Sequence, residues 1–336
     1  MNQTAAVMPF TLPHYAQSLV HFDTERRALW QYLNPAPRAV FTPTLLGEML
    51  DVQVRTRAHL DACAQGEPEI QYLVIASAVP GVFSLGGDLD LFAQLIRSRN
   101  RDNLVAYGRR CVEIVFNYSI HIGSPQLTTI SLVQGSSLGG GFEAALSTNV
   151  LVAERSASFG LPEIIFNLFP GMGAFSFLAR RLDMARAERF LTGGRQYSAG
   201  ELYEMGVVDV LAEDGQGVHA VNAFIRRHSR SRHGLMAIQR VRDRLAPLTI
   251  QELDDVVIIW VDAALQLTER DLRTMRRLVA AQSRLAKRTE IAEDEARPTN
   301  CNMDRMRVLR EQTWCASDAF VGPDRTETQA TPALLD

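Results

Sequence analysis

Gly139-Gly140-Gly141 limits what this chain can fold into more than any other stretch. The triplet follows Thr128-Thr129-Ile130-Ser131-Leu132-Val133, a β-branched, apolar run of strand length, and it leads into Phe142-Glu143-Ala144-Ala145-Leu146, which favours helix. A chain that turns from a buried strand into a helix through three glycines brings its backbone close to something, because no side chain fills the turn. Free N–H groups of the first helical turn, together with the helix dipole, favour negative charge at that spot. Such a turn supplies half of an oxyanion hole.

Two carboxylates converge on this turn. Glu143 lies in the first turn of the helix, and Glu163 follows in Phe159-Gly160-Leu161-Pro162-Glu163, between a strand-like segment and another apolar run. Burial raises the pKa of a carboxyl group and nearby donors lower it, so such a pair can supply a general acid and a general base. A glutamate in a first helical turn also serves as a capping residue, and a glycine triplet can be a plain tight turn. Upstream, Tyr72-Leu73-Val74-Ile75-Ala76 reads as a strand, and Ser84-Leu85-Gly86-Gly87-Asp88 forms a second glycine turn able to give the other donor.

With these elements in place the chain resembles the crotonase (enoyl-CoA hydratase/isomerase) superfamily. The segments that carry the resemblance are Ser84 to Asp88, Gly139 to Glu143, Phe159 to Glu163, Phe169-Pro170-Gly171, Leu191 to Gly194, Ser198 to Glu201 and Gly206-Val207-Val208, in family order over residues 20–212. The resemblance implies an α/β fold with a spiral of ββα turns; no internal repeat is visible in the sequence. It implies that the backbone N–H groups of Gly87 and Gly140 polarise a thioester carbonyl while Glu143 and Glu163 handle protons and water. It implies no cofactor, since coenzyme A or the phosphopantetheine of a carrier protein enters as part of the substrate.

Composition bounds the alternatives. The 336 residues are 46% apolar and 22% charged with a net charge of −3, enough for a large core in a soluble protein. No apolar run approaches the ~20 residues of a membrane span and the first basic residue is Arg26, so the expectation is a cytoplasmic protein with no membrane span. Cys63, Cys111, Cys301 and Cys315 are scattered and the histidines show no ligand spacing, so neither a disulfide nor a metal is expected. Nearly all positive charge is arginine, Lys287 being the one lysine.

In chain order, residues 1–18 read as an N-terminal arm and 19–212 as the spiral core. Within the core, Leu19 to Phe41 reads as a hairpin, Thr44 to Ala64 as a helix, and Leu89 to Phe116 as a long helix or helical hairpin. Residues 213–290 form a C-terminal helical region for acyl binding and oligomerisation. Candidate capping boxes stand at Ser198…Glu201, Thr249…Glu252 and Thr268…Asp271. The helix from Gln251 carries Val256, Val257, Ile258, Ile259, Trp260 and Val261, apolar on nearly every face, and is expected to be buried by its own protein or by a second subunit. Residues 291–336 read as a polar tail.

Within the superfamily the chain is most similar to the bacterial diffusible signal factor synthases, through Ser137 to Glu143, Phe159 to Asn167 and Phe169 to Ala174. That resemblance implies dehydration of a 3-hydroxyacyl thioester on acyl carrier protein to a cis-2-unsaturated acyl group and release of the free acid. It places Leu138, Met172, Trp260 and Leu278 in an acyl pocket, and implies a homo-oligomer, a trimer by family, and a sensor kinase partner. Alternatives are an enoyl-CoA hydratase/isomerase of fatty acid metabolism and a non-catalytic binding protein of the same fold. A carrier protein is acidic, so a cationic surface is expected at the tunnel mouth. The arginines at 226, 227, 230, 232, 240, 242 and 244 are one candidate cluster and Arg276, Arg277, Arg284, Lys287 and Arg288 another; no nucleic-acid motif accompanies them.

Overall fold

A computed structural model describes residues 10–62 and 68–280. The polar tail at 291–336, the start of the N-terminal arm, Cys63, Cys301, Cys315, Arg284, Lys287 and Arg288 lie outside the described residues.

The strands alternate between two sheets. The chain begins with an antiparallel hairpin, β1 (Ser18–Asp23) and β2 (Ala28–Leu33), followed by helix α1 (Pro43–Ala62). Three successive pairs then each give one strand to a long sheet and one to a short sheet. They are β3 (Tyr72–Ser77) with β4 (Val82–Ser84), β5 (Thr128–Val133) with β6 (Ser136–Leu138), and β7 (Val150–Glu154) with β8 (Ser158–Gly160). The long sheet has the order β1-β2-β3-β5-β7-β10, with β10 at Val210–Ala212, and the short one β4-β6-β8-β9, with β9 at Gln196–Ser198. Helices α2 (Leu89–Arg97) and α3 (Arg101–Ser119) follow the first pair, and α4 (Gly140–Ser147) follows the second. This is a ββα spiral. Pairing within it is parallel from β2 to β10 and from β4 to β8, so the inner strands are buried on both faces; every residue of β5 is buried.

Local sequence explains the boundaries. Of the two forms expected for Leu89 to Phe116 the structure has the pair of helices, because Asn100 accepts the Asn103 N–H and starts a second one at Arg101. Ser198 and Glu201 form a full capping box at the start of α7 (Ala199–Glu204). Thr249 caps α10 (Ile250–Ala264), and Thr268 and Asp271 cap the helix over residues 269–280 reciprocally. Between them and the core lie α5 (Ala174–Arg181), α6 (Met184–Gly193), α8 (Gly217–Arg230) and α9 (Arg232–Leu245). Within this one chain the helix from Gln251 is covered on one face. Leu253, Val257, Trp260, Val261 and Ala264 face inward, whereas Ile259 is 60% exposed, so α10 packs by one face against α3.

Candidate active site

The two glycine turns meet. Gly139 stands at φ +52°, a left-handed conformation open to glycine, and starts α4, whose first residue is Gly140. A Cβ on Gly140 would lie 3.5 Å from the Gly87 nitrogen, so the two amides are neighbours across one small space. In the trans peptide joining Gly86 to Gly87 the C=O and N–H point in opposite directions. The Phe41 N–H donates to the Gly86 carbonyl at 2.8 Å, which turns the Gly87 N–H away from Phe41. Among the described residues neither the Gly87 nor the Gly140 N–H has a hydrogen-bond acceptor.

Both glutamates reach the same space. Glu143 is 2% exposed, and its Oε1 accepts the Met172 N–H at 2.7 Å and the Ala174 N–H at 2.9 Å. Burial raises its pKa above the usual carboxylate range, and the Ala174 and Met172 amides draw it part of the way back. Glu163 sits in the 3-10 turn Pro162–Phe166, with Oε1 2.5 Å from where a Cβ on Gly139 would be. Its Oε2 is closed off from solvent and has no hydrogen-bond partner. Burial raises the Glu163 pKa and the negative charge of Glu143 raises it further. Both shifts favour the protonated carboxyl over the carboxylate.

Gly87, Gly140, Glu143, Glu163, Met172, Trp260 and Leu278 all line one cavity of about 690 Å³, counting its open mouth. Leu138 does not. The expectation that it lines an acyl pocket is corrected, because it lies buried in β6 with its Cδ2 3.3 Å from the Cβ position of Gly160. The wall includes three residues that sequence reasoning missed, Phe92 on α2 and Tyr107 and Cys111 on α3. Their rings form a chain, with Phe92 edge-on to Tyr107 at 5.0 Å and to Trp260 at 5.1 Å. The only signal they carried was helical apolar spacing, which core residues share.

The dense arginine cluster on α8 and α9 lies elsewhere, and none of it lines the cavity. Helix α9 docks at the far end of α3 through His121 to Asp243 (2.9 Å) and Gln239 to His121 (2.8 Å). Cys111 lies about 12 Å along the axis from the last residue of α3. Closer to the cavity is the helix over residues 269–280. It lends Leu278 to the wall and exposes Arg270, Arg273, Arg276 and Arg277 on its outer side. Among the described residues no group of His, Cys, Asp and Glu is arranged to hold a metal ion, and no helix is long and apolar enough to cross a membrane.

Comparison with known proteins places this geometry. The family model described as Enoyl-CoA hydratase/isomerase matches residues 34–241. Enoyl-CoA hydratase domain-containing protein 2 of Mus musculus is 32% identical over 47% of this chain and 52% of its own length. The chain spans about half the length of the curated relatives it matches. Among solved structures, an enoyl-CoA hydratase/isomerase from Xanthobacter autotrophicus Py2 superposes with a TM-score of 0.65 at 19% identity, covering 85% of this chain and 100% of that one. Pseudomonas aeruginosa DspI superposes with a TM-score of 0.55 at 18% identity, covering 82% and 97%.

Proposed function

The chain belongs to the enoyl-CoA hydratase/isomerase family, and from that premise we propose that it dehydrates a 3-hydroxyacyl thioester of acyl carrier protein to the cis-2-enoyl thioester and then hydrolyses the thioester to the free acid. The observation that carries the reading is the convergence of Glu143 and Glu163, both shifted toward neutral pKa, on the neighbouring Gly87 and Gly140 N–H donors. The apolar wall formed by Phe92, Met172, Trp260 and Leu278 suits an acyl tail. The similarity of Phe159 to Asn167 and Phe169 to Ala174 to the signal factor synthases favours this reaction over others in the family.

The chemistry follows from the pair. The two N–H groups hold the thioester oxygen as it gains charge, each such donor being worth about 3 kcal/mol in a dry site. One carboxylate takes the α proton while the other carboxyl gives its proton to the departing 3-hydroxyl, releasing water and leaving the enoyl thioester. The step needs one of the two groups ionised and the other protonated. A glutamate then takes a proton from a water that attacks the same polarised carbonyl; the C–S bond breaks, the thiolate is protonated, and carrier thiol and free acid leave. No cofactor enters, because the thioester arm arrives with the substrate.

The similarity to enoyl-CoA hydratases favours a second reading, hydration of a coenzyme A ester. Mass spectrometry of products separates the two. Incubation with a 3-hydroxyacyl carrier protein is expected to give free cis-2-enoic acid. Conversion of crotonyl-CoA to 3-hydroxybutyryl-CoA without release of free acid assigns a hydratase, and no product from either substrate assigns a binding protein.

A further inference from the structure

We propose that Tyr107 is a positioning residue for the oxyanion site, its hydroxyl fixing the turn that aims the Gly87 N–H. The inference rests on the oxyanion reading given above and adds a residue that takes no part in proton transfer. Tyr107 is 9% exposed on α3, and its hydroxyl has two backbone partners. It donates to the Phe41 carbonyl and accepts the Asp88 N–H at 3.4 Å. Phe41 and Gly87 face each other in an isolated parallel bridge. Such a bridge needs two hydrogen bonds, made by the residues on either side of Gly87. The first is Phe41 N–H to the Gly86 carbonyl at 2.8 Å. The second runs from the Asp88 N–H toward the Phe41 carbonyl, and the Tyr107 hydroxyl bonds to both of these groups.

The peptide units on both sides of Gly87 are therefore held, one by Phe41 and one by Tyr107. Without the hydroxyl the Asp88 amide and the Phe41 carbonyl keep only their weak direct contact across the bridge, so the Gly87 peptide is freer to tilt. A donor misaimed by part of an ångström stabilises the ground-state oxygen nearly as well and the developing oxyanion much less. Phe92 holds the phenol from below. Its ring stacks edge-on to Tyr107 and lies 2.7 Å from where a Cβ on Gly87 would be, so turn and ring are packed as one unit. Burial keeps the Tyr107 pKa well above its ordinary value, and the group stays a neutral donor across the working pH range.

Tyr107→Phe deletes one oxygen and keeps the ring. The expected result is a kcat about tenfold lower with KM within about threefold, because the loss falls on the transition state. A direct readout is the absorption of a bound 2,4-dienoyl-CoA, whose band moves to longer wavelength as its carbonyl is polarised. Wild type is expected to red-shift this probe and Tyr107→Phe to red-shift it less at saturating protein, while the circular dichroism of the two proteins agrees. If Tyr107→Phe does not accumulate folded, Tyr107→Met is read in the same way. Equal shifts and equal kcat in wild type and variant overturn the inference alone. A wild type that binds the probe without any shift overturns the oxyanion reading together with it.

Discussion

Glu163 holds its charge with less support than Glu143. Its Oε2 is buried without a partner, whereas two backbone amides hold Oε1 of Glu143. A folded-state pKa raised above the unfolded value of about 4.3 means that stability present at acid pH is lost as pH rises toward the raised titration. Glu163→Gln removes that loss. Its melting temperature is expected to match wild type near pH 4, to exceed it increasingly as pH rises, and to level off above the Glu163 titration, while turnover falls about a hundredfold or more. A melting difference that does not change with pH would mean that Glu163 titrates normally. Glu143, Glu163, Gly87 and Gly140 were legible in the sequence because each stands in a short run, strand then glycine then helix, whose neighbours in space are its neighbours in the chain. Tyr107, Phe92 and Cys111 were not, because a helix face lining a cavity has the same period as one packed in a core. Leu138 was misread for a related reason. Adjacency to Gly139 suggested the pocket, but strand alternation points its side chain to Gly160.

At the scale of elements, the acyl space is set by how closely α10 approaches the segment after Glu163. The Trp260 indole lies against Gly171, where a Cβ would come within 2.5 Å of its Cγ. Gly171→Ala is expected to push the ring into the cavity and move preference toward shorter acyl chains, and Trp260→Leu to move it toward longer ones. A change of about tenfold in the ratio of kcat/KM between chain lengths is the scale expected for one or two methylenes. Opposite signs for the two variants across a series of chain lengths would support this packing; the same sign would place the acyl tail elsewhere. The hairpin, α1, β3 and β5 were readable from period and turn residues. The short sheet was not: β4, β6 and β8 have three residues each, too few for a two-residue alternation to register. Helix α10 looked apolar on every face because Ile259 and Val256 are indistinguishable in sequence from the residues that pack.

Across the whole molecule, charge and cavity are not where arginine density alone suggested. None of the α8 and α9 arginines lines the cavity, while Arg273, Arg276 and Arg277 stand on the helix that supplies Leu278 to its wall. Charge reversal at Arg276 and Arg277 is expected to raise KM for an acidic carrier-protein substrate about tenfold at low salt, with less effect at high salt. Reversal at Arg227 and Arg230 is expected to leave it within about twofold. The reverse ranking would move the docking surface to α8. Wherever the carrier docks, the account depends on the two carboxyls exchanging protons with a thioester beneath the glycine donors. The most direct measurement is deuterium at C2 of a 3-hydroxyacyl thioester recovered after partial turnover in D2O, read by mass spectrometry. Wild type is expected to place deuterium at C2 of recovered substrate and product, and whichever of Glu143→Gln and Glu163→Gln removes the α base to leave C2 unlabelled. No deuterium at C2 with wild type, or C2 labelled at the wild-type rate by both variants, would contradict the account.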